Sequence, residues 1–144
     1  MRIDGEWLLC DDGVSRPVIR GEILASGGTW QRAEFLLDTG ADRTVFSAPV
    51  LSSLSLLPIT TRSRLGGVGG EIDSVVVETQ VRLTREDGGK VVLRERYAAV
   101  TELEALDMSV LGRDIAGFFA VIVDQPENLV CLLGQRHHYV IQSR

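Results

Sequence analysis

Asp38, Thr39 and Gly40 are the residues of this chain best placed to do chemistry. They stand in Phe35-Leu36-Leu37-Asp38-Thr39-Gly40-Ala41-Asp42-Arg43-Thr44-Val45, where an apolar run meets an acid and a glycine follows two positions later. A strand leaving the core here would carry the Asp38 carboxylate into a cleft, with its backbone held by a tight turn. Gly40 would let a neighbouring backbone come close. The Thr39 hydroxyl can both donate and accept a hydrogen bond. A carboxylate so placed can hold or move a proton in a reaction. The same tripeptide also suits an ordinary strand-end turn, where Asp, Thr and Gly are all common. Taken alone it leaves both readings open.

The elements that must position this turn read as short strands separated by Gly, Asp and Pro. Pro17 to Ser26 reads as a strand, followed by a turn at Gly27-Gly28. Arg32 to Leu37 alternates, with Ala33, Phe35 and Leu37 on one face. Ser47-Ala48-Pro49 opens a short helix to Leu57, with Ser47 able to cap it and Pro49 tolerated in its first turn. Val75 to Thr84 is the clearest strand, with Val75, Val77, Val81 and Leu83 on one side. Glu86-Asp87-Gly88-Gly89 turns it into a partner, Lys90 to Val100. Ile115 to Phe118 reads as a short helix, and Ala120 to Val123 and Leu129 to Leu133 flank a turn at Asp124 to Asn128. The expectation is a small barrel-like β domain with one or two short helices.

The bulk properties narrow the function classes. The 144 residues fit one domain, and 44% apolar with 24% charged residues is ordinary globular composition. A net charge of −5 argues against a nucleic-acid partner, which calls for a basic footprint. Arg62/Arg64 and Arg94/Arg96 alternate as solvated strand faces would. The acidic start Met1-Arg2-Ile3-Asp4-Gly5-Glu6 is unlike a signal peptide. No apolar stretch approaches the roughly 20 residues of a membrane span, so no membrane partner and a cytoplasmic location are expected. Cys10 and Cys131 are expected to be reduced, buried thiols. His137-His138 would point to opposite faces of a strand and, lacking further ligands, gives no metal site. No cofactor is expected.

Three blocks of the sequence resemble the retropepsins, the single-domain aspartic peptidases typified by the human immunodeficiency virus protease. Arg16-Pro17-Val18-Ile19 leads, one strand and one glycine turn later, into Leu36-Leu37-Asp38-Thr39-Gly40-Ala41-Asp42. Leu65-Gly66-Gly67-Val68-Gly69-Gly70 looks like the glycine-rich tip of the family's mobile flap. Val110-Leu111-Gly112-Arg113-Asp114 is similar to the segment that opens its C-terminal helix. The blocks occur in the family's order and span Arg16 to about Phe118.

The resemblance implies a small closed-barrel-like acid protease domain over residues 1–144, with 1–15 and 134–144 as poorly matched extensions. It implies Asp38, Thr39 and Gly40 as the catalytic triplet, and a flap in which Gly67, Val68 and Gly69 cover the substrate. Leu36, Ala41, Val45, Val68 and Val110 match pocket-lining positions, with Asp42 and Arg43 beside them. Arg43 departs from viral relatives, which often carry a small or acidic residue there; it could favour an acidic substrate side chain or be a solvated surface arginine. Arg113 is implied to be a buried fork that pairs with Asp42 and meets Arg16 of a partner subunit.

Peptide hydrolysis by this class needs two facing carboxylates sharing a proton. The chain has one Asp-Thr-Gly, so the site implied is a two-fold homodimer with Asp38 from each subunit and Thr39 bonding across the axis. The expected substrate is a peptide or protein in extended conformation, cleaved by an endopeptidase. The alternative is a non-catalytic module that keeps the fold for dimerisation or peptide binding. An intact Asp38, Thr39 and Gly40 beside an intact glycine segment favours the enzyme.

Overall fold

Period-two alternation shapes the hairpin that carries the Asp38 segment. β3 (Ser15–Leu24) and β4 (Trp30–Leu37) pair antiparallel, from Val18 opposite Leu36 to Leu24 opposite Trp30. Ala33, Phe35 and Leu37 are buried while Arg32 and Glu34 face solvent, as the alternation predicts. The structure, a computed structural model, describes residues 1–67, 70–134 and 140–142.

The other long pairing is β7 (Gly70–Thr84) with β8 (Lys90–Val100), in register from Ser74 opposite Val100 to Thr84 opposite Lys90. β6 (Thr60–Gly67) folds onto the start of β7, so the two project as a hairpin with Gly67 opposite Gly70. Val75, Val77, Val81 and Leu83 are all buried. With β2 (Glu6–Leu9), β5 (Val45–Phe46) and β9 (Ser109–Leu111), these strands form one sheet in the order β2-β3-β4-β9-β5-β8-β7-β6. A further pairing of β3 with β7, Gly21 opposite Leu83, closes it into a barrel. Phe35, Phe46 and Tyr97 meet inside, with ring centroids 6.4 and 5.3 Å apart, within the range of favourable tilted pairs. The Tyr97 hydroxyl donates to the Leu93 carbonyl at 2.6 Å, so burying the ring strands no polar group.

Several boundaries differ from expectation for local reasons. α1 (Ala48–Leu54) has Pro49 in its first turn, but the Ser47 side chain makes no capping bond. The Ser47 N–H instead donates to Ser109 Oγ at 3.0 Å, tying the helix start to β9. The helix stops at Leu54, short of Leu57, because Ser55 turns left-handed at φ 51°. α2 (Arg113–Ala116) begins two residues before Ile115. The first 15 residues are also ordered. β1 (Arg2–Asp4) pairs with β11 (Leu129–Leu133), which pairs with β10 (Ala120–Asp124), giving a three-stranded sheet. Gly5 passes from this sheet to the barrel where a Cβ would collide with the Val18 carbonyl and with the Ile19 and Val130 side chains.

Cys10 and Cys131 are free; Cys131 is buried, which pushes its thiol up, whereas Cys10 is only half-buried, short of the burial expected. Among the described residues no helix is long and apolar enough to cross a membrane, and no cluster of His, Cys, Asp and Glu could hold a metal. The His137-His138 pair lies outside the described residues.

One ion pair ties the barrel closure. Glu22 takes Arg82 Nε and Nη2 at 3.0 and 2.9 Å, and the guanidinium lies 4.2 Å from the Trp30 ring centroid. Hydrogen bonding from Arg82 holds the Glu22 carboxyl below its ordinary value. Its folded-state pKa is depressed, so its stabilisation is present above the unfolded value of about 4.3 and is lost as pH falls through the folded value. Glu22→Gln should lower unfolding free energy by about 1 kcal/mol at neutral pH. The gap between variant and wild type should narrow in urea titrations below about pH 4. A gap that stays constant from pH 7 to pH 3 would show that the pair contributes nothing.

Candidate active site

β9 lies between β4 and β5, parallel to the first and antiparallel to the second, with Leu36 and Val45 both paired to Val110. The chain therefore leaves along β4, loops over the end of β9 and returns as β5. That loop runs from Asp38 to Thr44. Three backbone bonds brace it from the neighbouring segment. The Asp38 N–H donates to the Leu111 carbonyl at 3.1 Å, the Arg113 N–H to Ala41 at 2.8 Å, and the Asp114 N–H to Asp42 at 3.2 Å. The half-buried Asp38 carboxylate accepts the Gly40 N–H at 2.9 Å on Oδ1, which fixes its orientation. Thr39 and Gly40 are exposed at the loop tip.

A second set of bonds holds the far side of the loop. Asp114 accepts the Thr44 N–H on both oxygens at 2.9 Å, the Thr44 hydroxyl at 2.7 Å and the Ile115 N–H at 2.9 Å. The Thr44 hydroxyl, fully buried, also accepts the Gly112 N–H at 3.2 Å. A Cβ at Gly112 would strike the Arg43 backbone, so only glycine lets the two segments touch. Within one chain this is where the tight backbone approach expected at Gly40 occurs. A Cβ at Gly40 would meet only Asp38 Oδ1, at 3.2 Å. Sequence reasoning quoted Asp114 without a role and passed over Thr44, because the bond between them spans 70 residues.

Arg113 does pair with Asp42, and its Nη1 donates to the Thr39 carbonyl at 2.7 Å. Both side chains are open to solvent in a single chain, at 52% and 80% exposure, where the resemblance implied a buried fork. Arg16 grips its own Asp12 with two bonds of 3.0 and 2.6 Å. The guanidinium holds the Asp12 carboxyl down to about 2.

Beside the loop, Leu36 and Val110 line a cleft of about 840 Å³ together with Leu8, Arg16, Leu106 and Met108. Two expected lining residues thus meet on one surface, with Ala41, Asp42 and Arg43 in the adjoining loop and Val45 next to Val110. Gly67 ends β6 at the hairpin tip, whereas Val68 and Gly69 lie outside the described residues.

An aspartyl protease family model matches residues 19–115, from β3 into α2. The chain belongs to the aspartyl protease family. Its fold is similar to that of EIAV protease in complex with the inhibitor HBY-793, at 26% identity and a TM-score of 0.50 over 71% of this chain and 86% of that one. It is also similar to a retropepsin-like aspartic protease from Rickettsia conorii, at 17% identity and a TM-score of 0.58, over 92% of this chain and 88% of that one. The second likeness speaks for the fold alone. No curated protein matches the chain significantly. The retropepsin resemblance of the sequence motifs and the mostly β architecture are both borne out.

Proposed function

We propose that this member of the aspartyl protease family is a homodimeric aspartic endopeptidase whose reacting groups are two copies of Asp38. One observation carries the reading. Asp38 is the acid of the braced loop whose carboxylate is oriented by the loop itself, through Gly40, and left without a cationic partner among the described residues. The other acids there are committed, Asp42 to Arg113 and Asp114 to Thr44. A second free carboxylate must then come from another copy of the chain, across a two-fold axis near Thr39.

Two such carboxylates in contact cannot both ionise, the general behaviour of aspartic protease dyads. The protonated one polarises the scissile carbonyl while the ionised one takes a proton from water. The water oxygen bonds to the carbonyl carbon, giving a tetrahedral diol. Proton transfer to the amide nitrogen then lets the C–N bond break, and the dyad returns to its singly protonated state. An extended peptide would lie along the Leu36 and Val110 surface, under the β6–β7 hairpin acting as a flap. The whole of residues 1–144 would act as one domain, in a reducing, cytoplasmic setting that suits the free thiols.

Specific activity on an unstructured protein such as casein should fall steeply on dilution and track the dimer fraction, since a lone subunit holds half of the dyad. Peptide substrate should shift the midpoint to lower protein concentration by mass action. The check is activity per chain over a dilution series, alongside molecular weight by sedimentation. Full activity in a species shown to be monomeric would overturn the shared site.

A further inference from the structure

We propose that the cleft beside the Asp38 loop takes an extended peptide segment bearing a lysine or arginine, with the open edge of β2 holding its backbone and Glu104 and Asp107 holding its cationic head. This names the substrate class of the site, and it rests on the reading above in taking that cleft as the substrate's path.

The register of β2 shows which of its groups are open. The Cys10 N–H donates to the Val14 carbonyl at 3.0 Å. Alternation along the antiparallel pair then makes Leu8 with Arg16, and Glu6 with Val18, the hydrogen-bonded pairs. Trp7 opposite Pro17 and Leu9 opposite Ser15 are the pairs without bonds. Pro17 has no N–H to give, so the sequence agrees with this register. The backbone N–H and carbonyl groups of Trp7 and Leu9 therefore turn away from β3. β2 is the end strand of its sheet, and among the described residues nothing bonds these four groups. Trp7-Leu8-Leu9 carries no charge or proline, and its pairing with β3 contains no bulge. An edge without such devices is a template for an added strand, and an extended peptide is what adds to it.

This edge borders the cleft, which Leu8, Leu9 and Cys10 line together with Leu36 and Val110. Leu8 pairs with Arg16, Val18 with Leu36, and Leu36 with Val110. Paired residues, and residues two apart on a strand, share a face of the sheet. Leu8, Arg16, Leu36 and Val110 thus form one floor that leads to the Asp38 loop. A strand added along β2 would turn alternate side chains over that floor.

The charge around the floor says which side chain fits. Four acids, Asp11, Asp12, Glu104 and Asp107, and one arginine line the cleft. The arginine is committed, since Asp12 takes Arg16 through bonds of 3.0 and 2.6 Å. Asp11, Glu104 and Asp107 are exposed and, among the described residues, have no cationic partner. The field of three such carboxylates favours a cation and repels an acid. A lysine or arginine suits both parts of the cleft. Its aliphatic stem can lie on Leu36, Leu106 and Met108 while its head reaches the carboxylates.

Binding is measured with the Asp38→Asn protein, which should hold peptides without cleaving them, and cleavage with the wild type. The probes are short unstructured peptides of neutral, apolar-rich sequence in which one lysine is moved along the chain. Glutamine and glutamate at the same positions are the controls. At low salt the best lysine peptide should bind about ten-fold tighter than its glutamine version, and added salt should shrink that ratio. Glu104→Gln with Asp107→Asn, both at exposed positions, should bring the ratio close to one, and Asp107→Glu should keep it. Leu9→Pro removes an outward N–H and leaves the β2–β3 bonds in place. If it keeps its far-ultraviolet circular dichroism, it should bind lysine and glutamine peptides alike about ten-fold more weakly. Equal binding of lysine, glutamine and glutamate peptides, or none, would overturn the basic segment, as would a ratio unmoved by the Glu104 and Asp107 changes. A folded Leu9→Pro protein that binds as tightly as its parent would overturn the edge. Peptides bound with the expected preference, yet cleaved at no concentration of the wild type, would leave the basic segment standing and sink the shared-site reading instead.

Discussion

Asp38→Asn is expected to reduce peptide cleavage by more than about 10³-fold, within the range set by losing a positioned acid and base together. The dimer should stay folded. Asparagine is nearly isosteric and keeps the Oδ1 that accepts the Gly40 N–H, so the loop loses no bond within the chain. What it loses is the ability to share a proton, and an amide can neither take one from water nor deliver one to the leaving nitrogen. Mixing wild-type enzyme with excess Asp38→Asn subunits should therefore poison activity through mixed dimers, provided subunits exchange. Retained turnover in the purified variant, with its dimer intact, would assign the chemistry to other residues.

The legible part of this site was the part written in contiguous residues. Phe35 to Gly40 joins a strand face, an acid and a turn in one stretch, so the alternation of Ala33, Phe35 and Leu37 already oriented Asp38. The Arg113–Asp42 pair was reachable only through family resemblance, because nothing local joins two residues 71 apart. Its solvent exposure was not readable at all, since burial is set by contacts between segments distant in the sequence. Thr44 stayed hidden for a related reason. A threonine between Arg43 and Val45 looks like any strand residue until β9 is known to lie between β4 and β5. β1 and β2 were missed because strands of three and four residues are too short to show a period. The helix end at Ser55 was missed because a left-handed serine is a choice of context, not of composition. Long periodic segments such as β7 and β8 left no such ambiguity.

Asp114→Ala is expected to be the most destabilising single change near the site, at about 3 kcal/mol or more. The truncation leaves the N–H and hydroxyl of the fully buried Thr44 without their acceptor, and each buried group so stranded costs about 1–3 kcal/mol. The Ile115 N–H, in the first turn of α2, loses the nearer of its two acceptors and keeps the Gly112 carbonyl at 3.2 Å. Asp114→Asn should recover part of the loss, because one amide oxygen can still accept from Thr44. Thr44→Val, which keeps the N–H bonds and loses the hydroxyl, should fall between wild type and Asp114→Ala. The measurement is urea unfolding at several protein concentrations, so that loss of the folded subunit is separated from loss of the dimer by mass action. Activity supplies a second readout. If the brace sets the angle of the Asp38 loop, kcat should fall in the surviving dimers even where folding is complete, and Asp114→Asn should restore both properties together. An Asp114→Ala protein with an unmoved urea midpoint would show that the backbone bonds from Asp38, Arg113 and Asp114 hold the loop unaided, and that the half-buried Asp114 carboxylate is not what positions the Asp38 turn.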